Sequence, residues 1–243
     1  MEEKELKTSV GQRIAIIVIA VIMLGSIIAG YAAIVINGNK NSSANTDTGT
    51  TEISEERMKQ YEDAYNEKLA TFKTATAGEF AKFSSQLSVM TAYNETAANS
   101  GGVQTVDLIA GDGRELAEGD NNYLAFYAGW CADESVFDSS LDSTEKPTAF
   151  SKALDASLGL IEGWNAGMVG MKLGGVREIT VPGELAYGDK MEICGGYNKP
   201  LKFLVMAVAN EDPLKSLSKE VDMAFMKLQY AKYGIDYDAQ MNK

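Results

Sequence analysis

Histidine is absent from all 243 residues, which removes a Ser-His-Asp or Cys-His nucleophilic site, an imidazole general base and a His-ligated zinc site in one step. Two cysteines, Cys131 and Cys194, are too few for a four-thiolate metal site. The middle of the chain sets aromatic and acidic side chains among glycines, Tyr127, Phe137, Asp138, Trp164, Tyr187 and Phe203 among them. Taken singly they are unremarkable. Tyr127, Trp164 and Phe203 read as core residues of a small β domain, Trp164 as packing at a helix start, and Asp138, followed by two serines, as an Asx turn. The balance of 22 basic against 34 acidic side chains gives a net charge of −12, which repels phosphate backbones, so nucleic acid is not an expected partner.

The elements that must position these residues follow from composition and periodicity. Residues 1–13 carry Lys4, Lys7 and Arg13, and Ile14 to Ile36 is an uncharged run of 23 residues. As a helix that run reaches roughly 34 Å, enough to cross a hydrocarbon core of roughly 30 Å. With only Lys40 in the comparable stretch after it, the positive-inside rule predicts a cytoplasmic N-terminus, a transmembrane helix over 14–36 and everything beyond on the outer side. The run exceeds a typical signal-peptide core, so an uncleaved anchor is expected. Residues 1–36 are charge-neutral, so the whole net charge belongs to the part beyond the anchor.

Residues 37–54, rich in Asn, Ser, Thr and Gly, read as a flexible linker. The segment 55–102 reads as helical and accessory: Met58, Tyr61, Tyr65, Leu69 and Phe72 recur at helical spacing behind a Ser54 N-cap, predicting a helix of about five turns that ends near Gly78. A strand is expected near Gln86 to Tyr93 and a loop over Asn94 to Gly102. Within 103–210, short β-type runs (Val103 to Ala110, Asn122 to Gly129, Gly175 to Val181, Leu201 to Ala209) alternate with Gly- and Asp-rich turns, with one short helix starting near Glu162. The connections are mostly too short for parallel crossovers, so the class is α+β with an antiparallel sheet. In 211–243 the stripe Leu214, Leu217, Val221, Ala224, Phe225, Leu228 and Ala231 predicts a C-terminal helix stopped by Gly234.

The motifs of the middle segment make a family pattern. The segments G-D-G at 111–113, Y-A-G-W at 127–130, V-F-D-S-S at 136–140, L-I-E-G-W-N-A-G-M-V-G-M-K-L-G-G at 160–175, V-P-G-E-L-A-Y-G at 181–188 and P-L-K-F at 200–203 resemble, in order and spacing, the FKBP-type peptidyl-prolyl cis/trans isomerases. The resemblance implies an antiparallel half-barrel of about five strands wrapped around one short helix, with a ligand cleft between helix and sheet. It also implies roles. Trp164 would be the floor under the substrate proline, with Tyr127, Phe137 and Phe203 as aromatic walls. Leu160 and Ile161 would close one side, the Ile161 N–H being offered to a substrate carbonyl. Tyr187 would present its hydroxyl to the peptide, and Asp138 would stand at the edge as an acceptor.

The implied partners are proline-containing polypeptides, with a macrolide as a further ligand, and no cofactor or metal is called for. The implied activity is isomerisation of X-Pro bonds in exported proteins at the outer face of the membrane. The alternative is a catalytically weak binding module or chaperone tethered there. Three departures from the family pattern stand out: Thr148 occupies a position where the family often has an aromatic, no arginine near Ser143 or Thr144 is available to pair with the cleft aspartate, and the loop 189–199 lacks an apolar, proline-rich tip. The family fold would bring Cys131 and Cys194 towards each other. Outside the membrane a disulfide is then favoured over two buried thiols, and in the chain-entropy model it would contribute about 4 kcal/mol.

Overall fold

The computed structural model describes residues 53–241, within a compact unit spanning Glu52–Lys243. The expected cytoplasmic segment, the expected membrane helix over 14–36 and nearly all of the expected linker lie outside the described residues. Among the described residues no helix is long and apolar enough to cross a membrane.

Helix α1 (Glu55–Ala75) opens as its sequence requires, with the Ser54 hydroxyl accepting from the Arg57 N–H at 3.2 Å. Ile53 and Met58 pack together on the cluster of Tyr61, Leu228 and Ala231, so the apolar pair flanking the cap closes on the C-terminal helix. Helix α1 ends at Ala75, near the expected end at Gly78, but the chain does not leave helical structure there. It turns at Thr76, whose hydroxyl bonds back to Phe72 O at 2.9 Å, and continues as α2 (Ala77–Ser84), with Gly78 inside it. The strand expected near Gln86 to Tyr93 is instead a 3₁₀ turn over Leu87–Val89, and the loop expected at Asn94 to Gly102 contains α3 (Glu95–Ser100). The Asn94 side chain caps α3 by accepting from Ala97 N at 2.9 Å, a local bond that overrides weak helix propensity.

Strands β1 (Gln104–Ile109), β2 (Tyr123–Trp130), β3 (Val136–Ser139), β4 (Leu154–Asp155), β5 (Val176–Val181) and β6 (Leu201–Ala209) form one antiparallel sheet in the order β1-β5-β6-β2-β3, with β4 also paired to β2. Both faces are covered, which explains why every residue of β2 is buried. Its alternation divides two cores. Tyr123, Ala125 and Tyr127 face α4 (Glu162–Met168), together with Phe203 and Val205 of β6. Leu124, Phe126, Ala128 and Trp130 face the other way, onto Phe72 of α1, Phe83 of α2, Phe150 and Val221 of α5 (Leu214–Lys232). In that second core Phe126 and Phe150 stack with centroids 4.0 Å apart. Helix α5 also lies along α1, and the corner leading to α6 (Tyr237–Met241) is tied by Arg57 to Asp236 and Asp238 at 3.1 and 2.7 Å.

Two glycines and an arginine fix α4 against the sheet. A Cβ at Gly163 would lie 2.1 Å from Val181 Cγ1, and one at Gly167 would lie 2.5 Å from Ile179 Cγ2, so only glycine allows the helix to come this close to β5. The buried Arg177 of β5 donates to Gly167 O and Val169 O at 2.8 and 2.9 Å, supplying partners for carbonyls at the helix C-terminus. Its other edge is held by Asp107 of β1 at 2.6 Å.

Candidate functional site

The concave face of the sheet and α4 enclose a set of aromatic rings. Trp164, in the first turn of α4, packs edge-on to Tyr127 of β2 at 5.6 Å and to Phe203 of β6 at 5.2 Å; Phe137 of β3 meets Phe203 at 5.6 Å. Trp164 Nε1 donates to Tyr123 Oη at 3.1 Å, which fixes the indole in one orientation. Tyr123 was not among the residues singled out from sequence. The signal that could have found it is the two-residue period of β2, which sets it on the same face as Tyr127. Leu160, Ile161 and Tyr187 are partly buried against this cluster, so all eight aromatic, apolar and acidic residues expected at the cleft lie in or beside one region. Leu160 and Ile161 form the entry to α4, where Ile161 O accepts from Trp164 N and Asn165 N, while among the described residues the Ile161 N–H donates to no backbone acceptor.

Asp138 is the polar organiser of the region. Its Oδ2 accepts from the Tyr127 hydroxyl, and its Oδ1 accepts from Ser139 N at 2.8 Å and from the Lys152 ammonium at 2.8 Å. Burial, followed by the neighbouring Asp138 carboxylate, pushes the Tyr127 phenol well above its ordinary range, and the same two causes raise Tyr187. Both tyrosines are therefore hydroxyl donors at any physiological pH.

The three departures noted in sequence have structural counterparts. Thr148 does not face the cleft as an aromatic wall; its N–H and hydroxyl bond to Asp142 at 2.9 and 2.8 Å and shape the 141–150 turn. Burial would raise the Asp142 carboxyl, but the Lys73 ammonium at 2.9 Å, both Thr148 donors and Ala149 N outweigh it and hold Asp142 below the usual carboxylate range. In place of an arginine, Lys152 pairs with Asp138. The loop 189–199 is fastened by other means. Cys194 is disulfide-bonded to Cys131 at the end of β2, with Cα atoms 5.5 Å apart, and Ile193 and Cys194 pack on the cleft cluster. Lys199 pairs with Glu95 of α3 at 2.8 Å, the Asn99 side chain accepts from Gly183 N at 2.8 Å, and Tyr93 donates to Pro200 O at 2.8 Å. The accessory segment before the sheet thus clasps the cleft loop, a role that no local pattern in 85–100 announces. A separate depression of about 440 Å³, lined by Asp112, Arg114, Asn122, Asn210 and Glu211 among others, contains none of the cleft residues.

Residues 113–207 match the model of the FKBP-type peptidyl-prolyl cis-trans isomerase family. An FK506-binding protein of Neisseria meningitidis serogroup B is 38% identical over 91 residues, which is 36% of this chain and 76% of the relative. Another, from serogroup A, is 36% identical over 105 residues, covering 42% of this chain and 87% of the relative. The chain belongs to the FKBP-type peptidyl-prolyl cis-trans isomerase family. Among solved structures, a peptidyl-prolyl cis-trans isomerase from Pseudomonas syringae pv. tomato matches 59% of this chain and 93% of its own at 24% identity and a TM-score of 0.34. The matched span of the FKBP domain begins just before the bridge Glu115 to Lys172 and ends inside β6, so it contains all eight cleft residues and both cysteines.

Proposed function

We propose that this family member is an active isomerase of X-Pro bonds that assists the folding of exported proteins at the outer face of a membrane, anchored through residues 14–36 with its N-terminus in the cytoplasm. The observation that carries the isomerase reading is the ring set Tyr127, Trp164, Phe203 and Phe137, linked by edge contacts, with the Asp138 carboxylate bonded to the Tyr127 hydroxyl at its edge. Rotation about the X-Pro bond must break amide resonance against a barrier of about 18–20 kcal/mol and takes tens to hundreds of seconds unaided. No bond needs to be made to the protein. A water-poor aromatic pocket disfavours the charge-separated planar amide relative to the twisted, less polar one, and lowering the barrier by about 5–6 kcal/mol gives roughly 10⁴-fold acceleration. The residues proposed to act at the amide are Tyr127, Phe137, Asp138, Trp164 and Tyr187. Leu160, Ile161 and Phe203 are proposed to hold the flanking chain. Relatives named FK506-binding proteins make a macrolide a second proposed occupant of this pocket.

The membrane placement is supported by the uncharged run Ile14 to Ile36 with Lys4, Lys7 and Arg13 before it, and by the Cys131–Cys194 disulfide, which suits an oxidising compartment. The test is an X-Pro tetrapeptide assay on the full chain in mild detergent, beside Tyr187→Phe and Trp164→Leu. Acceleration by the wild type, reduced in both variants, is the expected result. A folded chain without acceleration overturns the isomerase reading in favour of a membrane-tethered binding module or chaperone. Protease digestion of right-side-out and inverted vesicles tests the topology; cleavage within 53–241 only from the inverted side overturns it.

A further inference from the structure

The FKBP domain delivers one cation to its cleft by a route that depends on the 141–150 turn. Leu141 and Phe150 form an antiparallel bridge, Asp142 N donates to Ala149 O at 3.0 Å, and Ser151 N donates to Ser140 O at 2.8 Å. The Ser151 hydroxyl adds bonds to Ser140 O and Leu141 O at 3.3 and 3.1 Å. With residue 151 pinned opposite residue 140, Lys152 falls beside the end of β3. Its ammonium reaches Asp138 Oδ1 at 2.8 Å and lies 5.7 Å from the centre of the Tyr127 ring. Both side chains of the pair retain only 25% of their exposure, so the pair is largely withdrawn from water while still reaching the cleft edge.

We infer that Lys152 is a positioning and charge-setting residue of the isomerase cleft: it holds Asp138 in the rotamer that accepts the Tyr127 hydroxyl, and it cancels the carboxylate charge felt by the residue preceding the substrate proline. Tyr127 packs on Trp164, so an Asp138 that turns away releases the hydroxyl that orients this wall of the pocket. Consecutive Cα atoms are about 3.8 Å apart, so the residue before a proline seated on Trp164 lies within a few ångströms of the rim. There an uncompensated carboxylate acts on a substrate charge through a partly dehydrated medium. With Lys152 present the Asp138 charge is paired. Without it the rim repels Glu-Pro and attracts Lys-Pro.

The inference rests on the isomerase reading, and one experiment separates the two. Full-length wild type, Lys152→Met, Lys152→Gln and Lys152→Arg are assayed with tetrapeptides carrying Glu, Leu or Lys before the proline, at low and high salt, with a thermal melt of each variant. In the neutral variants kcat/KM for the Leu peptide is expected to fall about threefold or more, and the Glu-to-Lys ratio of kcat/KM about fivefold at low salt, returning towards the wild-type ratio at high salt. Lys152→Arg is expected to restore both. Lys152→Gln decides the matter if Lys152→Met does not fold. Folded neutral variants with wild-type kcat/KM and an unchanged Glu-to-Lys ratio overturn the inference, as does an arginine variant that behaves like the neutral ones. If the wild type turns over none of the peptides, the isomerase reading falls. The same Glu-to-Lys ratio, measured as peptide affinity from NMR shifts of the Trp164 indole, then decides the role of Lys152.

Discussion

Asp222→Asn should make the folded unit more stable at neutral pH. Asp222 sits on α5 between the sheet side and α1, within the electrostatic reach of Tyr65, Lys152 and Asp155. Burial pushes its carboxyl from 3.8 up to about 6; Lys152 opposes that rise and Asp155 adds to it. A carboxyl that ionises near 3.8 in the unfolded chain and near 6 in the fold holds its proton more tightly when folded. Between those values the folded state binds more protons than the unfolded state, so stability falls as pH rises through the window. Above about pH 6 the full cost is present, at most about 3 kcal/mol from the size of the shift. Asparagine keeps the shape and cannot ionise. Urea denaturation of a chain beginning at Glu52, at pH 4, 5, 6 and 8, should show the variant ahead of the wild type by about 1–3 kcal/mol at pH 8, with the gap closing towards pH 4. A variant no more stable at pH 8, or a gap that does not change with pH, refutes the reasoning.

Replacing Trp164 with leucine removes the ring that joins Tyr127 to Phe203, the proposed floor of the pocket, and leaves Tyr123 Oη without its indole donor; kcat/KM should drop tenfold or more in the peptide assay, with a loss of about 2–4 kcal/mol in urea denaturation. Opening the 63-residue disulfide loop by Cys131→Ala with Cys194→Ala should cost about 2–5 kcal/mol, and added reductant should lower the wild type towards the double variant but leave the double variant unmoved. Lys73→Met deprives Asp142 of its cation. Because the Asp142 carboxyl is held below its unfolded value, that stabilisation is present above about pH 4 and lost as pH falls, so a destabilisation of about 1 kcal/mol at pH 7 should shrink in acid.

Much of the cleft was legible because its residues are carried by short, ordered motifs. The glycines at 163 and 167 show why: the spacing that marks the motif is also the spacing that lets α4 approach β5, so the pattern and the packing have one cause. Strands β2, β5 and β6 were legible from their apolar β-type runs, since a buried strand leaves a local trace, and β1 from its β-branched residues although it is mostly exposed. The region 85–100 was misread because its order comes from remote partners. The Asn99 bond to Gly183 and the Glu95 pair with Lys199 span 84 and 104 residues, and no window of sequence contains both ends. The end of α1 near Gly78 was legible, but the short helix that follows was not: a single glycine permits a stop without compelling one, and the Thr76 bond to Phe72 makes the turn while Gly78 lies inside the next helix.

By itself the sequence determined which chemistry is open to this protein. A chain without histidine, with two cysteines and with aromatic and glycine motifs in family order can build a binding cleft for proline but no histidine-dependent site. The tertiary structure alone decided how that cleft is held. The pairing of Lys152 with Asp138 and the clasp of α3 on the cleft loop depend on which distant segments the sheet brings side by side, and the same packing closes the Cys131–Cys194 crosslink that the family pattern led one to expect. Residue types are written locally, whereas a charge pair or a crosslink is a distance, and distances across a sheet are set only when its strands and covering helices have packed.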